Sequence, residues 1–101
     1  MIMTINKEQK DEKTTFFPAG RLDTTTAPQL QEVLIPEFDS AKHVELDFSE
    51  LVYISSAGLR VLLMGQKTAK AKNGEFSVIN VSDEIMEVFE MTGFADMLNI
   101  S

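Results

Sequence analysis

Tyr53-Ile54-Ser55-Ser56-Ala57-Gly58-Leu59-Arg60-Val61-Leu62-Leu63, or YISSAGLRVLL, places four small residues between an apolar strand-like stretch and an apolar helix-like one. Small side chains leave the backbone bare, and the two serines offer hydroxyls for modification. With Ser55 as N-cap, its oxygen turns back onto the N–H of Ala57 or Gly58. Ser56 is then the first helical residue, its side chain pointing outward beside free N–H groups. Ala57 and Gly58 keep the approach clear for a partner or an enzyme. Serine is common at helix starts, and on residue types alone simple capping outweighs a functional reading. One feature pulls the other way. Leu59, Val61, Leu62, Leu63 and Met64 are more apolar than a one-sided stripe requires. The first two turns of this helix then leave apolar surface near Ser56, as a protein contact would use, unless strand and hairpin cover it.

Upstream of the turn, Val44, Leu46 and Phe48 alternate with Glu45, Asp47 and Ser49, the pattern of a strand with one buried face. Ile2–Asn6 alternates in the same way. Lys7–Lys13 is a charged turn, and Thr14–Pro18 is a second strand ended by Gly20, so the two strands form a hairpin. Thr24-Thr25-Thr26 followed by Pro28 signals a helix start, and Pro36 closes that helix. Downstream, the helix from Ser56 runs to Asn73, about 27 Å at 1.5 Å per residue, and Gly74 supplies a left-handed stop. Phe76, Val78 and Ile79 form another strand. Ser82-Asp83-Glu84 caps a third helix, with first-turn acids at its positive end. Ile85, Val88 and Phe89 face inward, Gly93 ends the helix, and Met97–Ile100 adds a last short strand. The order is β, β, α, β, α, β, α and a final β, which implies an α/β fold with parallel pairs and right-handed crossovers around a leading hairpin.

Composition bounds the function. At 101 residues the chain suits one domain spanning 1–101. Sixteen acids against nine scattered bases give a net charge of −7, so no basic patch favours nucleic acid. The absence of cysteine removes disulfides, thiolate chemistry and zinc ribbons. The N-terminus lacks the apolar core of a signal peptide, and no run approaches the ~20 apolar residues of a membrane span. Catalytic motifs are missing too. There is no G-x-S-x-G elbow and no phosphate loop. The lone histidine, His43, reads as a surface residue, the acids as a solvated face without metal-ligand spacing, and the six methionines as core filler. No catalytic residue, metal or cofactor is expected.

The stretch resembles the STAS-domain proteins of bacteria, specifically the single-domain anti-sigma factor antagonists. The run Leu46-Asp47-Phe48-Ser49 through Tyr53-Ile54-Ser55-Ser56-Ala57-Gly58-Leu59 carries the likeness. Gly20-Arg21-Leu22-Asp23-Thr24, Ala27 and Leu30, and Phe89-Glu90-Met91-Thr92-Gly93-Phe94 extend it over nearly the whole chain. The resemblance implies a STAS (SpoIIAA-like) fold, a mixed four- to five-stranded sheet with helices mainly on one side. It also implies a cytoplasmic switch protein, not an enzyme, that binds an anti-sigma factor with serine kinase activity and an ATPase fold. Phosphate on the matching serine, Ser56 (or Ser55), breaks that complex, and a PP2C-type phosphatase restores it. The family usually has Asp where this chain has Ser55. The partner-binding set expected from the likeness is Asp23, Thr24, Thr25, Ser55, Ser56, Ala57, Gly58, Leu59 and Arg60. Capping explains Thr24 and Thr25 equally well, and a solvated charge explains Arg60. A monomer or weak dimer is expected. Two other classes stay open: a soluble STAS subunit acting as a scaffold in a transporter or another partner-switching complex, and a small nucleotide hydrolase, which the missing motifs disfavour.

Overall fold

The computed structural model describes residues 3–101. Strand β1 (Thr4–Lys10) turns at Asp11, whose φ is +57°, into β2 (Lys13–Leu22). Helix α1 (Ala27–Glu37) leads to β3 (His43–Asp47) and β4 (Leu51–Ile54). Helix α2 (Ser56–Ala71), β5 (Glu75–Ile79), α3 (Asp83–Thr92), α4 (Phe94–Met97) and β6 (Asn99–Ile100) complete the chain.

The sheet has six strands. Five run in the order β1-β2-β3-β5-β6, and β4 joins β2 off that path. Only the β1–β2 pair is antiparallel. The strand beyond the expected four or five is β4. It reads buried, exposed, exposed, buried, which lacks the alternation that marks a strand in sequence.

The charged turn expected over Lys7–Lys13 is mostly strand. β1 runs on to Lys10, an exposed edge whose Lys7, Glu8 and Lys10 discourage further strand pairing; Ile2 lies outside the described residues. Gly20 does not end β2. The strand passes through it at φ +107°, where its register on β4 shifts. A glycine accepts that conformation without strain. β2 thus pairs with β3 through Lys13–Phe16 and with β4 through Gly20–Leu22.

Helices α1 and α2 share one face of the sheet. Gly65 of α2 lies so close to α1 that a Cβ there would sit 3.2 Å from Leu34 Cδ2 and 3.3 Å from the Phe76 ring. Phe38 meets Phe76 edge-on, with centroids 6.0 Å apart. Leu22, Leu30, Leu34, Val44, Leu46, Leu62, Val78 and Phe89 are wholly buried. Each such side chain contributes about 1.5–3 kcal/mol of burial.

β3 is covered on both faces, against the expectation of one. Glu45 and Asp47 are only 7% and 8% exposed. A central strand carries neighbours on either side, and their polar groups satisfy these carboxylates. Lys13 Nζ lies 3.0 Å from Glu45, and Thr15 and Ser77 donate to it. Asn80 and the Ser49 amide donate to Asp47. His43, expected on the surface, is only partly exposed in the same row, its Nε2 2.8 Å from Ser77 Oγ.

Smaller differences have local causes. Pro36 sits inside the last turn of α1, which ends one residue later. The left-handed residue after α2 is Asn73 (φ +57°), not Gly74. Gly74 is needed for space, because a Cβ there would lie 2.8 Å from the Lys42 carbonyl oxygen. Met3 is core, whereas Met91 (81% exposed) and Met97 are on the surface. Val88 is only partly buried, while Ile85 and Phe89 are buried as expected.

Candidate functional site

The turn between β4 and α2 is built from the backbone outward. The Ser55 amide donates to the Leu22 carbonyl at 2.9 Å, which fastens the turn to the end of β2. Ser55 has extended backbone (φ −103°, ψ 176°), and the Gly58 amide donates to its Oγ at 3.4 Å. Ser55 is therefore the N-cap and Ser56 the first residue of α2. The Ser56 side chain is exposed and Ser55 is half-buried, the division of roles expected from the residue types.

Gly58 is buried. A Cβ there would lie 2.7 Å from Leu22 Cγ and 2.9 Å from Ile54 Cγ1. Its smallness seats the helix against β2 and β4 instead of clearing a path for a visitor. Leu59 is 7% exposed and also packs inward. Val61 and Leu62 are buried with it, whereas Leu63 and Met64 are only half-buried, so most but not all of the apolar excess of α2 belongs to the core. The exposed apolar surface around the turn comes from β4, where Val52 is 71% and Tyr53 40% exposed.

The loop before α1 stands beside this turn because both hang from Leu22. The Thr25 amide and hydroxyl and the Thr26 amide all donate to Asp23 Oδ1. The Thr26 hydroxyl accepts from the Asp23 amide at 2.8 Å and donates to the Arg21 carbonyl at 2.7 Å. The carboxylate of Asp23, more than a threonine hydroxyl, thus organises the approach to α1. The Thr25 hydroxyl holds the Asp23 carboxyl below its ordinary value against a partial desolvation that acts the other way, and the Thr25 and Thr26 amides add to the lowering.

Between α2 and the start of α1, with the end of the loop before it, runs a groove of about 230 Å³. Thr24, Pro28 and Gln31 form one wall; Ala57, Arg60 and Met64 form the other. The groove brings Thr24, Ala57 and Arg60 together; Asp23 and Thr25 belong to the loop, and Ser55 and Ser56 to the turn, that meet at Leu22, while Gly58 and Leu59 are buried. Sequence reasoning passed over Arg21, Val52 and Tyr53. The Arg21 guanidinium lies 4.1 Å from the Tyr53 ring centroid, and its Nε lies 3.8 Å from Asp23. The signal for them was Tyr53 two residues before the serine pair, in a stretch too short to show strand alternation.

The chain matches the STAS domain family over residues 4–101. This protein belongs to the STAS family. An anti-sigma-B factor antagonist of Listeria monocytogenes is 30% identical over 95 residues, covering 93% of this chain and 83% of that one. Two solved structures share the fold. One is a putative anti-sigma factor antagonist from Thermotoga maritima, with TM-score 0.88 and 18% identity over 95% of this chain and 84% of that one. The other is the Bacillus cell fate determinant SpoIIAA in its phosphorylated form, with TM-score 0.76 and 18% identity over 97% of this chain and 91% of that one.

His43 pairs with the Lys13 end of the ten-residue β2, far from the Leu22 end that carries the serines. Among the described residues no group of three or more His, Asp or Glu side chains is placed to hold a metal, and no helix is long and apolar enough to cross a membrane.

Proposed function

We propose that this protein is an anti-sigma factor antagonist whose docking is switched by phosphate on Ser56. Unmodified, it sequesters an anti-sigma factor that is also an ATPase-fold serine kinase; phosphorylated, it releases that partner. The observation that carries the reading is the exposed Ser56 hydroxyl at the first position of α2, beside a buried-backbone cap that leaves it unused. Phosphate adds about −1.5 to −2 charges at pH 7. At a helix N-terminus the dipole favours such charge by roughly 0.3–1 kcal/mol, so the domain stays folded. The effect falls on the interface, where a dianion against a packed, partly apolar surface must be desolvated and repels acidic partner groups.

The protein is thus a binding switch and not a catalyst, acting as one cytoplasmic STAS domain without a cofactor, and a PP2C-type phosphatase resets it. The name of the Listeria relative and the accessible hydroxyl both favour the switch over a scaffold role in a transporter. The test is incubation with ATP and the cognate ATPase-fold kinase, followed by phosphopeptide mapping. Phosphate on Ser56, lost in Ser56→Ala, is expected. Phosphate on Ser55 alone would move the site. The absence of both phosphorylation and complex formation would overturn the reading.

A further inference from the structure

Resting on that reading, we propose that Arg60 is the intramolecular counter-ion of phosphate on Ser56, a positioning residue that changes partner when the serine is modified. The chain has two arginines, Arg21 and Arg60, and both flank the serine turn. Arg21 is already engaged, stacked on Tyr53 and facing Asp23. Arg60 is exposed and forms no ion pair among the described residues.

Its position fits the task. Ser56 and Arg60 are four residues apart on α2, so their Cβ atoms stand roughly 5–6 Å apart on one face. Helical side chains lean toward the N-terminus of their helix, so Arg60 covers the turn that begins at Ser56. The guanidinium fork matches a phosphate bidentately. No acid within the first turn of α2 competes for it. In the unmodified chain the same side chain borders the groove with Thr24 and Ala57. Phosphate therefore does two things in one event: it adds charge at the turn and draws Arg60 out of the groove wall.

The experiment installs phosphoserine at position 56 during translation, so that it needs no kinase. The second ionisation of the phosphate is then titrated by phosphorus NMR in the parent, Arg60→Gln, Arg60→Lys and Arg21→Gln. A guanidinium favours the dianion and so lowers that pKa. Arg60→Gln is expected to raise it by about half a unit, the scale of an exposed pair. Arg60→Lys should recover part of the shift and Arg21→Gln should leave it unchanged. Identical titrations for the parent and Arg60→Gln overturn the proposal, as does a larger shift in Arg21→Gln. Either outcome leaves the kinase reading standing, because the phosphate was supplied independently.

Discussion

Gly58→Ala adds one methyl group at the point where α2 touches the sheet. The new Cβ would lie 2.7 Å from Leu22 Cγ and 2.9 Å from Ile54 Cγ1. Leu22 is wholly buried and Ile54 is 5% exposed, so neither has free space to retreat into. Overpacking of this kind costs about 1–3 kcal/mol. Replacing a helical glycine by alanine returns up to about 1 kcal/mol. Both contacts fall on carbons near the backbone of buried side chains, which places the overpacking cost in the upper part of its range, about 2–3 kcal/mol. The net is a loss of about 1–2 kcal/mol, which in a domain of this size lowers Tm by roughly 5–15 °C. Thermal unfolding followed by circular dichroism measures it. Leu22→Ala supplies the internal control. It removes the nearer of the two contacts and leaves the one with Ile54 Cγ1, so Gly58→Ala made in that background should cost clearly less than in the parent, a coupling between contacting residues. A Tm that is unchanged or raised by Gly58→Ala in the parent would refute the view that glycine is there to seat the helix.

Ser56→Asp is expected to weaken binding to the anti-sigma factor by more than a hundredfold, since a 3 kcal/mol loss at roughly 1.4 kcal/mol per tenfold suffices; calorimetric titration measures it, and Tm should stay nearly unchanged. Glu37 accepts hydrogen bonds from Thr14 (2.7 Å), Lys7 (3.0 Å) and Gln9 (3.2 Å). Burial pushes its pKa up, but the Thr14 and Lys7 bonds and the Lys7 charge outweigh that, and the carboxyl stays below its ordinary value. A depressed folded-state pKa contributes stability that is present above the unfolded value and lost as pH falls through the folded one. Urea unfolding across the acid range should therefore fall less steeply for Glu37→Gln, which also loses about 1–2 kcal/mol at neutral pH. Asp23→Ala removes the acceptor shared by the Thr25 and Thr26 amides, and hydrogen exchange at those two amides should accelerate while the sheet is unaffected.

Much of this was legible in the residues. The serine cap, the helix that follows and the alternation of strands and helices come from side-chain types and periods that local physics enforces. The division between a capping Ser55 and an outward Ser56 was readable because an N-cap fixes the direction of its neighbour. What escaped depends on distant partners. Glu45 and Asp47 read as solvent-facing until Ser77, Asn80 and Lys13 are brought alongside. Val52 and Tyr53 form an exposed pair in a four-residue strand whose extent and outward face only its pairing to β2 defines. Gly58 and Leu59 were grouped with the contact surface because they fall within the serine motif that carries the family likeness. One turn of helix carries them to the inner side, where Leu22 and Ile54 meet them. Gly20 looked like a terminator because glycine commonly interrupts strands, yet here it lets one strand serve two neighbours.

That shared strand has a practical consequence for anyone labelling the protein. β2 is ten residues long, at most about 30 Å for nine steps at an extended rise of 3.3 Å. Its Leu22 end anchors the serine turn, while its Lys13 end meets the tight bend at Asp11 and Glu12. A fluorophore or affinity handle grafted at that bend stands the length of the strand away from Ser56. Such a fusion would report on complex formation without obstructing it.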